Sequence, residues 1–320
     1  MAYALRPATL ADAPAITDLL NEIDRIEIGQ DETDLRTVEA DLKNPETNLD
    51  QDSWLAFYGR RLVAYGLLWD ESRGERVDVD HYVLPDHQRA GELILEAMET
   101  RALRRALDNG ATRAVVHLHL NARPALDTAL LRGRGWSVVR RYHVLRRELR
   151  PAADPVPRVP AGVRVRPCAV EADRARVHEL YQASFAEHFD FQPRTYQQWS
   201  HDIDAEGLDW SLVWIAATED LGDVGFLIAR DDRAAMGWIR SLGVVPAARG
   251  RGLGGLLLRH AFAAFAARGR DTAGLGVDTS NATGAPELYA RHGMGVHYAV
   301  DTWETTLHRS AGSADSGVLA

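Results

Sequence analysis

Ile239-Arg240-Ser241-Leu242-Gly243-Val244-Val245-Pro246-Ala247-Ala248-Arg249-Gly250-Arg251-Gly252-Leu253-Gly254 is a mostly apolar run, then a proline, then a turn of glycines and arginines. An amphipathic segment from Leu256 to Ala267 follows. Strand, glycine turn and helix in that order make an anion site. Glycine lets the backbone approach a ligand closely. The unpaired amides and positive dipole of a helix N-terminus favour phosphate. Arg249 and Arg251 add charge in a fork that suits phosphate oxygens. Other readings compete with this one. Gly250, Gly252 and Gly255 satisfy the dinucleotide spacing G-x-G-x-x-G, a weak signal alone. That motif wants its first glycine at the strand end of an early strand, whereas Pro246 to Arg249 intervene here and the motif comes late. A P-loop is excluded, because no Gly-Lys-Ser/Thr follows and Lys43 is the only lysine in the chain. A glycine turn with no ligand is the remaining rival.

The sequence downstream weighs against that rival. A short strand, Gly274-Leu275-Gly276-Val277-Asp278, precedes Ser280-Asn281-Ala282-Thr283-Gly284-Ala285, then Glu287-Leu288-Tyr289-Ala290-Arg291-His292-Gly293-Met294, and a last strand runs from Val296 towards Leu307. In this region the chain resembles the GCN5-related N-acetyltransferase superfamily. Three pieces carry the resemblance: Leu242-Gly243-Val244 before Pro246; Arg249 to Gly254, matching Q/R-x-x-G-x-G/A; and Asn281 followed by Leu288-Tyr289 and Gly293-Met294. Order and spacing match together across about 60 residues, which a single short motif could not claim. The resemblance implies a mixed, mostly antiparallel sheet flanked by helices, with acyl-CoA where two adjacent parallel strands splay apart.

The composition fits a soluble enzyme of the cytoplasm. A chain of 320 residues, 46% hydrophobic, suggests two domains with ample cores. Cys168 is the sole cysteine, which excludes an internal disulfide and points to a reducing compartment; it reads as a packing residue. No apolar run reaches the length of a membrane span, and the N-terminus lacks a signal-peptide core. A net charge of −9 argues against a nucleic-acid partner. The expected partner is a small-molecule amine, with no nucleic acid and no membrane, and the expected assembly is a monomer or homodimer.

The chain also repeats itself. Arg6-Pro7 recurs as Arg166-Pro167, and Val83-Leu84-Pro85-Asp86-His87-Gln88 recurs as Val244-Val245-Pro246-Ala247-Ala248-Arg249, both about 160 residues on. Helical spacing at Ile16, Leu19, Leu20 and Ile23 opens the first copy. Paired strands follow, Asp52–Tyr58 with Arg61–Leu68, repeated as Leu212–Ala217 with Val224–Ala229. Between the copies, Pro151, Pro155, Pro157 and Pro160 rule out helix or central strand and mark a linker. The expectation is an α/β chain of two tandem domains: 1–150, the linker 151–160, 161–309, and a disordered tail 310–320 rich in Ser, Gly and Ala.

The copies differ in chemistry. The counterpart of the phosphate turn is Gln88-Arg89-Ala90-Gly91-Glu92-Leu93, where Glu92 puts an anion at the pyrophosphate position. Leu131 stands where the second copy has Tyr289, and leucine has no proton to give. The first copy is therefore expected to be degenerate. In the second, the resemblance implies acetyl-CoA as co-substrate. It gives Leu242, Gly243, Val244 and Val245 backbone groups for the pantetheine arm. It gives Arg249, Gly250, Arg251, Gly252, Leu253 and Gly254 to the pyrophosphate, Asn281 to the pantetheine amides, and Tyr289 as the acid that protonates the CoA thiolate. Asn281 also reads as a helix N-cap and Tyr289 as a core aromatic.

The general base is not assigned by these motifs. Many family members carry a glutamate on the strand before the turn, a place that falls at about Trp238. Glu187, His188 and Asp190 lie between two early helices, in the region that covers the acceptor site in the family. His188 titrates in a useful range. Phe189, Phe191 and Trp199 suit an apolar acceptor wall or ordinary core. Asp301 and Glu304 on the last strand are lesser candidates. His117 and His119 share one face of a strand, but no third metal ligand accompanies them and no metal is expected. Two readings remain, an acetyl-CoA-dependent N-acetyltransferase and a non-catalytic acyl-CoA-binding or regulatory module.

Overall fold

A computed structural model describes residues 2–309 except 45, 46, 71, 190, 206, 232–235 and 282, with backbone alone at 202, 204 and 205. The tail expected to be disordered, and Asp190, lie outside the described residues.

The chain divides into two compact units, Met1–Arg141 with Val300–Ala320, and Tyr142–Ala299. The first unit opens with β1 (Tyr3–Arg6), α1 (Ala13–Glu27), α2 (Leu35–Leu42) and α3 (Leu49–Asp52). The helical spacing of α1 buries Ala13, Ile16, Leu19, Leu20 and Ile23 as one stripe, with Pro14 in the first turn, where its missing amide costs no helix bond. Strands β2 (Ser53–Tyr58) and β3 (Arg61–Trp69) form the expected hairpin, turned at Gly59 with φ 64°. Next come β4 (Arg76–Val83), the long α4 (Gln88–Asp108), β5 (Arg113–Asn121), α5 (Thr128–Gly133) and β6 (Ser137–Glu148).

The same order returns. It runs β7 (Val163–Pro167), α6 (Glu171–Phe185), α7 (Tyr196–Ala205), β8 (Val213–Thr218), β9 (Gly222–Arg230), β10 (Met236–Val244), α8 (Leu253–Ala267), β11 (Thr272–Asp278), α9 (Ala285–Arg291) and β12 (Gly295–His308). Helix α8 buries Leu257, Leu258, Ala261, Phe262 and Phe265 on one face of the second sheet; α6 and α7 bury Val177, Leu180, Trp199 and Ile203 on the other. Gly237 is required under Phe265: a Cβ there would come within 2.3 Å of the ring.

The first sheet runs β1-β2-β3-β4-β5-β12 and the second β7-β8-β9-β10-β11-β6. Each has one parallel pair, β4 with β5 and β10 with β11, and is otherwise antiparallel. The sixth strand of the first sheet is the end of the chain, Val300–His308 against Arg113–Asn121. The sixth strand of the second is Tyr142–Glu148 against Thr272–Asp278. The cuts between units therefore fall at 141/142 and 299/300, not in the proline-rich stretch. Strand pairing is non-local, and a repeat in sequence does not say which copy's last strand closes which sheet.

That pairing accounts for the lesser candidates. Asp301 accepts a bidentate pair from Arg141 at 2.6 and 2.7 Å, and Glu304 bonds His117 Nε2 at 2.8 Å, both within the first unit. The Thr302 hydroxyl lies 3.1 Å from His119 Nδ1. Among the described residues no helix is long and apolar enough to cross a membrane.

Candidate active site

Strands β10 and β11 pair only from Met236 to Ile239. Immediately afterwards the register of β10 against β9 shifts between Ile239 and Ser241, so Arg240 is an extra residue in the ladder. Such a bulge bends the strand and increases its twist. Here β10 swings away from β11, and a cavity of about 670 Å³ opens between them. Leu242, Gly243 and Val244 line it from β10, and Leu275 to Asp278 from β11. Gly243 sits tight under α6, since a Cβ would come 2.4 Å from Phe226 and 2.8 Å from Ser184.

The far end of the cavity is the glycine turn. Gly250 and Gly252 adopt φ 78° and 77°, a left-handed backbone that suits glycine. Gly252 caps α8 without a side chain, so the helix offers its first amides unblocked. Gly250, Gly252, Leu253 and Gly254 all line the cavity. Arg249 lines it too, while its Nε donates to the Val244 carbonyl at 3.1 Å and its Nη2 to the Ser184 carbonyl at 3.4 Å. Arg251 instead forms an ion pair with Asp220 at 2.8 Å and is not among the lining residues. Val245 is also absent from the lining and packs beside Val224 and Ala248.

Tyr289 lines the cavity from α9 while the rest of its ring packs in the core. Burial pushes its pKa up from 10.0 to about 12, so the phenol stays protonated at neutral pH. Asn281 also lines the cavity, but its side-chain oxygen accepts from the Thr283 amide at 2.7 Å and from the Thr283 hydroxyl. It closes a turn; the N-cap of α9 is Gly284. His188 reaches the cavity, whereas Glu187, Phe189 and Phe191 are not among its lining residues. Phe191 packs near Tyr181, and Trp199 is buried core. Trp238 lies against the Gly274 position of β11 and does not line the cavity, so nothing basic stands where a glutamate would.

Tyr142, Arg240, Asp278 and His292 line the cavity and were not singled out by the motifs. Tyr142 comes from β6, in the segment that reads as the end of the first copy. Arg240 is the bulged residue, and bulges leave no mark in hydrophobic alternation. His292 is held by the Leu288 carbonyl at 2.8 Å and by Arg259 at 3.1 Å.

Among the described residues of the first unit no such opening is found between the parallel strands. Its β4 pairs with β3 without a register shift through Val83. The segment expected as a phosphate turn, Gln88 to Leu93, is the start of helix α4; with no left-handed glycines, the chain coils at once. The Gln88 amide bonds the Pro85 and Ala125 carbonyls at 3.1 and 3.0 Å, and its oxygen accepts from the Asp127 amide at 2.7 Å. Glu92 pairs with Arg89. His81 fills the space beside Gly91, bonding its carbonyl at 2.8 Å. What remains between the strands is a void of about 30 Å³. Leu131 is fully buried.

Comparison with known proteins agrees with this geometry. The family model described as Acetyltransferase (GNAT) domain matches residues 209–293. Mycothiol acetyltransferases of Gordonia bronchialis and Mycolicibacterium vanbaalenii are 31% and 32% identical over 64% and 67% of this chain. The matched stretch spans 66% and 69% of those relatives, about two thirds of their length. A GCN5-related N-acetyltransferase from Sphaerobacter thermophilus superposes with a TM-score of 0.81 at 25% identity, covering 96% of both chains. A tandem GNAT protein from the clavulanic acid biosynthesis pathway shares the fold, with a TM-score of 0.73 at 16% identity over 97% of this chain and 100% of its own. With one parallel pair in each sheet, splayed open in the second, and these likenesses over the whole chain, the protein belongs to the GCN5-related N-acetyltransferase (GNAT) superfamily, in its tandem form, and is an acetyltransferase of that family.

Proposed function

We propose that the chain transfers the acetyl group of acetyl-CoA to a primary amine of a small molecule or peptide, in the second repeat (residues 161–309, closed by β6), and that the first copy does no chemistry. One observation carries the reading: a cavity of about 670 Å³ joins the uncapped N-terminus of α8 to Tyr289, while the equivalent space in the first unit is about 30 Å³. The amides of Leu253 and Gly254 and the dipole of α8 hold the pyrophosphate. The strand edge at Leu242 and Gly243 offers backbone partners to the pantetheine arm, because β11 no longer pairs with it. The amine forms a C–N bond at the thioester carbon, the C–S bond breaks, and Tyr289 gives its proton to the departing sulfur. The relatives named mycothiol acetyltransferase favour a small-molecule acceptor over a protein one.

The test is release of free CoA thiol from acetyl-CoA by the full chain with a panel of small primary amines. Amine-dependent release with a matching acetylated product supports transfer. Tight acetyl-CoA binding without turnover on any amine would favour the regulatory module instead.

A further inference from the structure

The site so far has an acid but no residue to take the proton that an ammonium must lose before it can attack. Among the described residues lining the cavity, three side chains carry a carboxylate or an imidazole that can act as a base: Asp278, His292 and His188. His292 sits at the phosphate end, under Gly255, with both ring nitrogens engaged by the Leu288 carbonyl and Arg259. One Asp278 oxygen accepts from the Ser280 amide at 2.8 Å. His188 is different. It follows α6 in a turn closed by its own amide on the Phe185 carbonyl at 2.8 Å, and its ring lies against the Phe185 ring with centroids 4.4 Å apart. Neither ring nitrogen has a hydrogen-bond partner among the described residues.

We propose that His188 is the general base of the transfer, accepting a proton from the acceptor's ammonium group in the cavity. This rests on the transferase reading above. Neutral imidazole takes one proton and leaves a neutral amine. The amine lone pair forms the C–N bond, and the C–S bonding pair leaves with sulfur. Tyr289 protonates that sulfur and is reprotonated by the second proton lost from nitrogen, through solvent. His188 then releases its proton to water, so each turnover yields amide, free thiol and one proton. The electrostatics suit the task. Burial, with Arg249 adding to it, lowers the His188 pKa below 6.5 while Asp278 opposes the shift, so the ring is neutral at pH 7. Other titratable or charged side chains lining the cavity are Arg240 from β10, Tyr142 from β6, Arg259 from α8, Tyr289 and Arg291 from α9, and His292 after it.

The test is His188→Gln in the full chain, assayed with acetyl-CoA and two probes. One is 2-phenylethylamine, an ammonium at pH 7. The other is O-benzylhydroxylamine, which is neutral there. With the first, kcat should fall about 10²- to 10⁴-fold at pH 7 and recover as pH rises towards the amine's own pKa. With the second, the loss should be only a few-fold, and calorimetric affinity for acetyl-CoA should be unchanged. Equal loss on both probes, or an unaltered pH profile, overturns the base assignment and leaves the transferase reading standing. Turnover of neither probe by the wild-type chain, with no CoA release on any other amine of the panel, overturns both. Should the variant not fold, the wild-type chain decides: kcat must fall on the acid side with the ammonium probe and not with the neutral one.

Discussion

Arg249 donates from Nε to the carbonyl of Val244, 3.1 Å away, and so ties the last residue of β10 to the turn that follows it. A second bond from the same guanidinium, 3.4 Å to the Ser184 carbonyl, ties the turn to the end of α6. The arginine thus fixes the glycine turn against the end of β10 and the end of α6. Arg251, two residues on, points to Asp220 and is nearly half exposed.

The two arginines should therefore behave differently on truncation. Arg249→Ala removes hydrogen bonds from a charged donor, each worth about 1.5–3 kcal/mol. It should weaken acetyl-CoA binding tenfold or more. Arg251→Ala breaks a surface ion pair worth about 0–1 kcal/mol and should leave the melting temperature nearly unchanged. Calorimetric titration and thermal melts on both variants check this. Greater loss of affinity in Arg251→Ala would show that its partner is phosphate, not Asp220.

Gly252 allows a test of charge at constant shape. Its φ of 77° suits asparagine and aspartate better than other side chains, and its Cβ position is open. Gly252→Asn should bind acetyl-CoA within a few-fold of wild type. Gly252→Asp places a carboxylate at the mouth of the α8 N-terminus and should lose binding at least tenfold more. Equal affinity in the two variants would remove the phosphate from this turn.

The pairing of β12 with β5 gives a prediction that no reading of two sequential domains would make. Trp303 is 3% exposed in the core of the first unit, although it belongs to the second repeat in sequence. Trp303→Ala should cost about 3–5 kcal/mol. Hydrogen exchange should then show the protection of β5, Arg113–Asn121, falling before that of β10. Loss of protection in β10 first would contradict the assignment of this strand to the first unit.

The doubled α/β fold was legible because its signals are local. The stripe of α1, the hairpins β2–β3 and β8–β9, and the glycine turn each lie within a few consecutive residues. Most of the described cavity lining expected from the motifs was legible for the same reason: Leu242, Gly243, Val244, Arg249, Gly250, Gly252, Leu253, Gly254, Asn281 and Tyr289 keep a fixed spacing along one repeat, whereas Val245 and Arg251 lie outside the lining. Features that depend on distant pairing were not. The closing strands of the two sheets, Tyr142 as a cavity wall, and the engagement of Arg251 by Asp220 all join residues far apart in sequence. The bulge at Arg240 escaped because one extra residue looks like any other in an apolar run. In the first copy the altered turn was recognised, but not that its residues would coil directly into α4.

Tyr289→Phe tests the acid at the other end of the cavity. The ring packs in the core and would keep its contacts, so the fold should survive. Only the hydroxyl is lost, and a positioned acid contributes about 10²- to 10⁴-fold in rate. The fall should appear in kcat with little change in the Michaelis constant for acetyl-CoA, provided chemistry is slower than dissociation. The raised pKa adds a second readout. The folded state holds the phenol protonated up to about 12, while the unfolded chain releases its proton from 10.0. Stability linked to Tyr289 is therefore intact below pH 10 and is lost as pH climbs towards 12, because deprotonation then favours the unfolded chain. Phenylalanine has no proton to lose, so the variant's stability should decline less than wild type across that window. A variant with wild-type turnover would make Tyr289 a packing residue and assign the thiolate's proton to another donor.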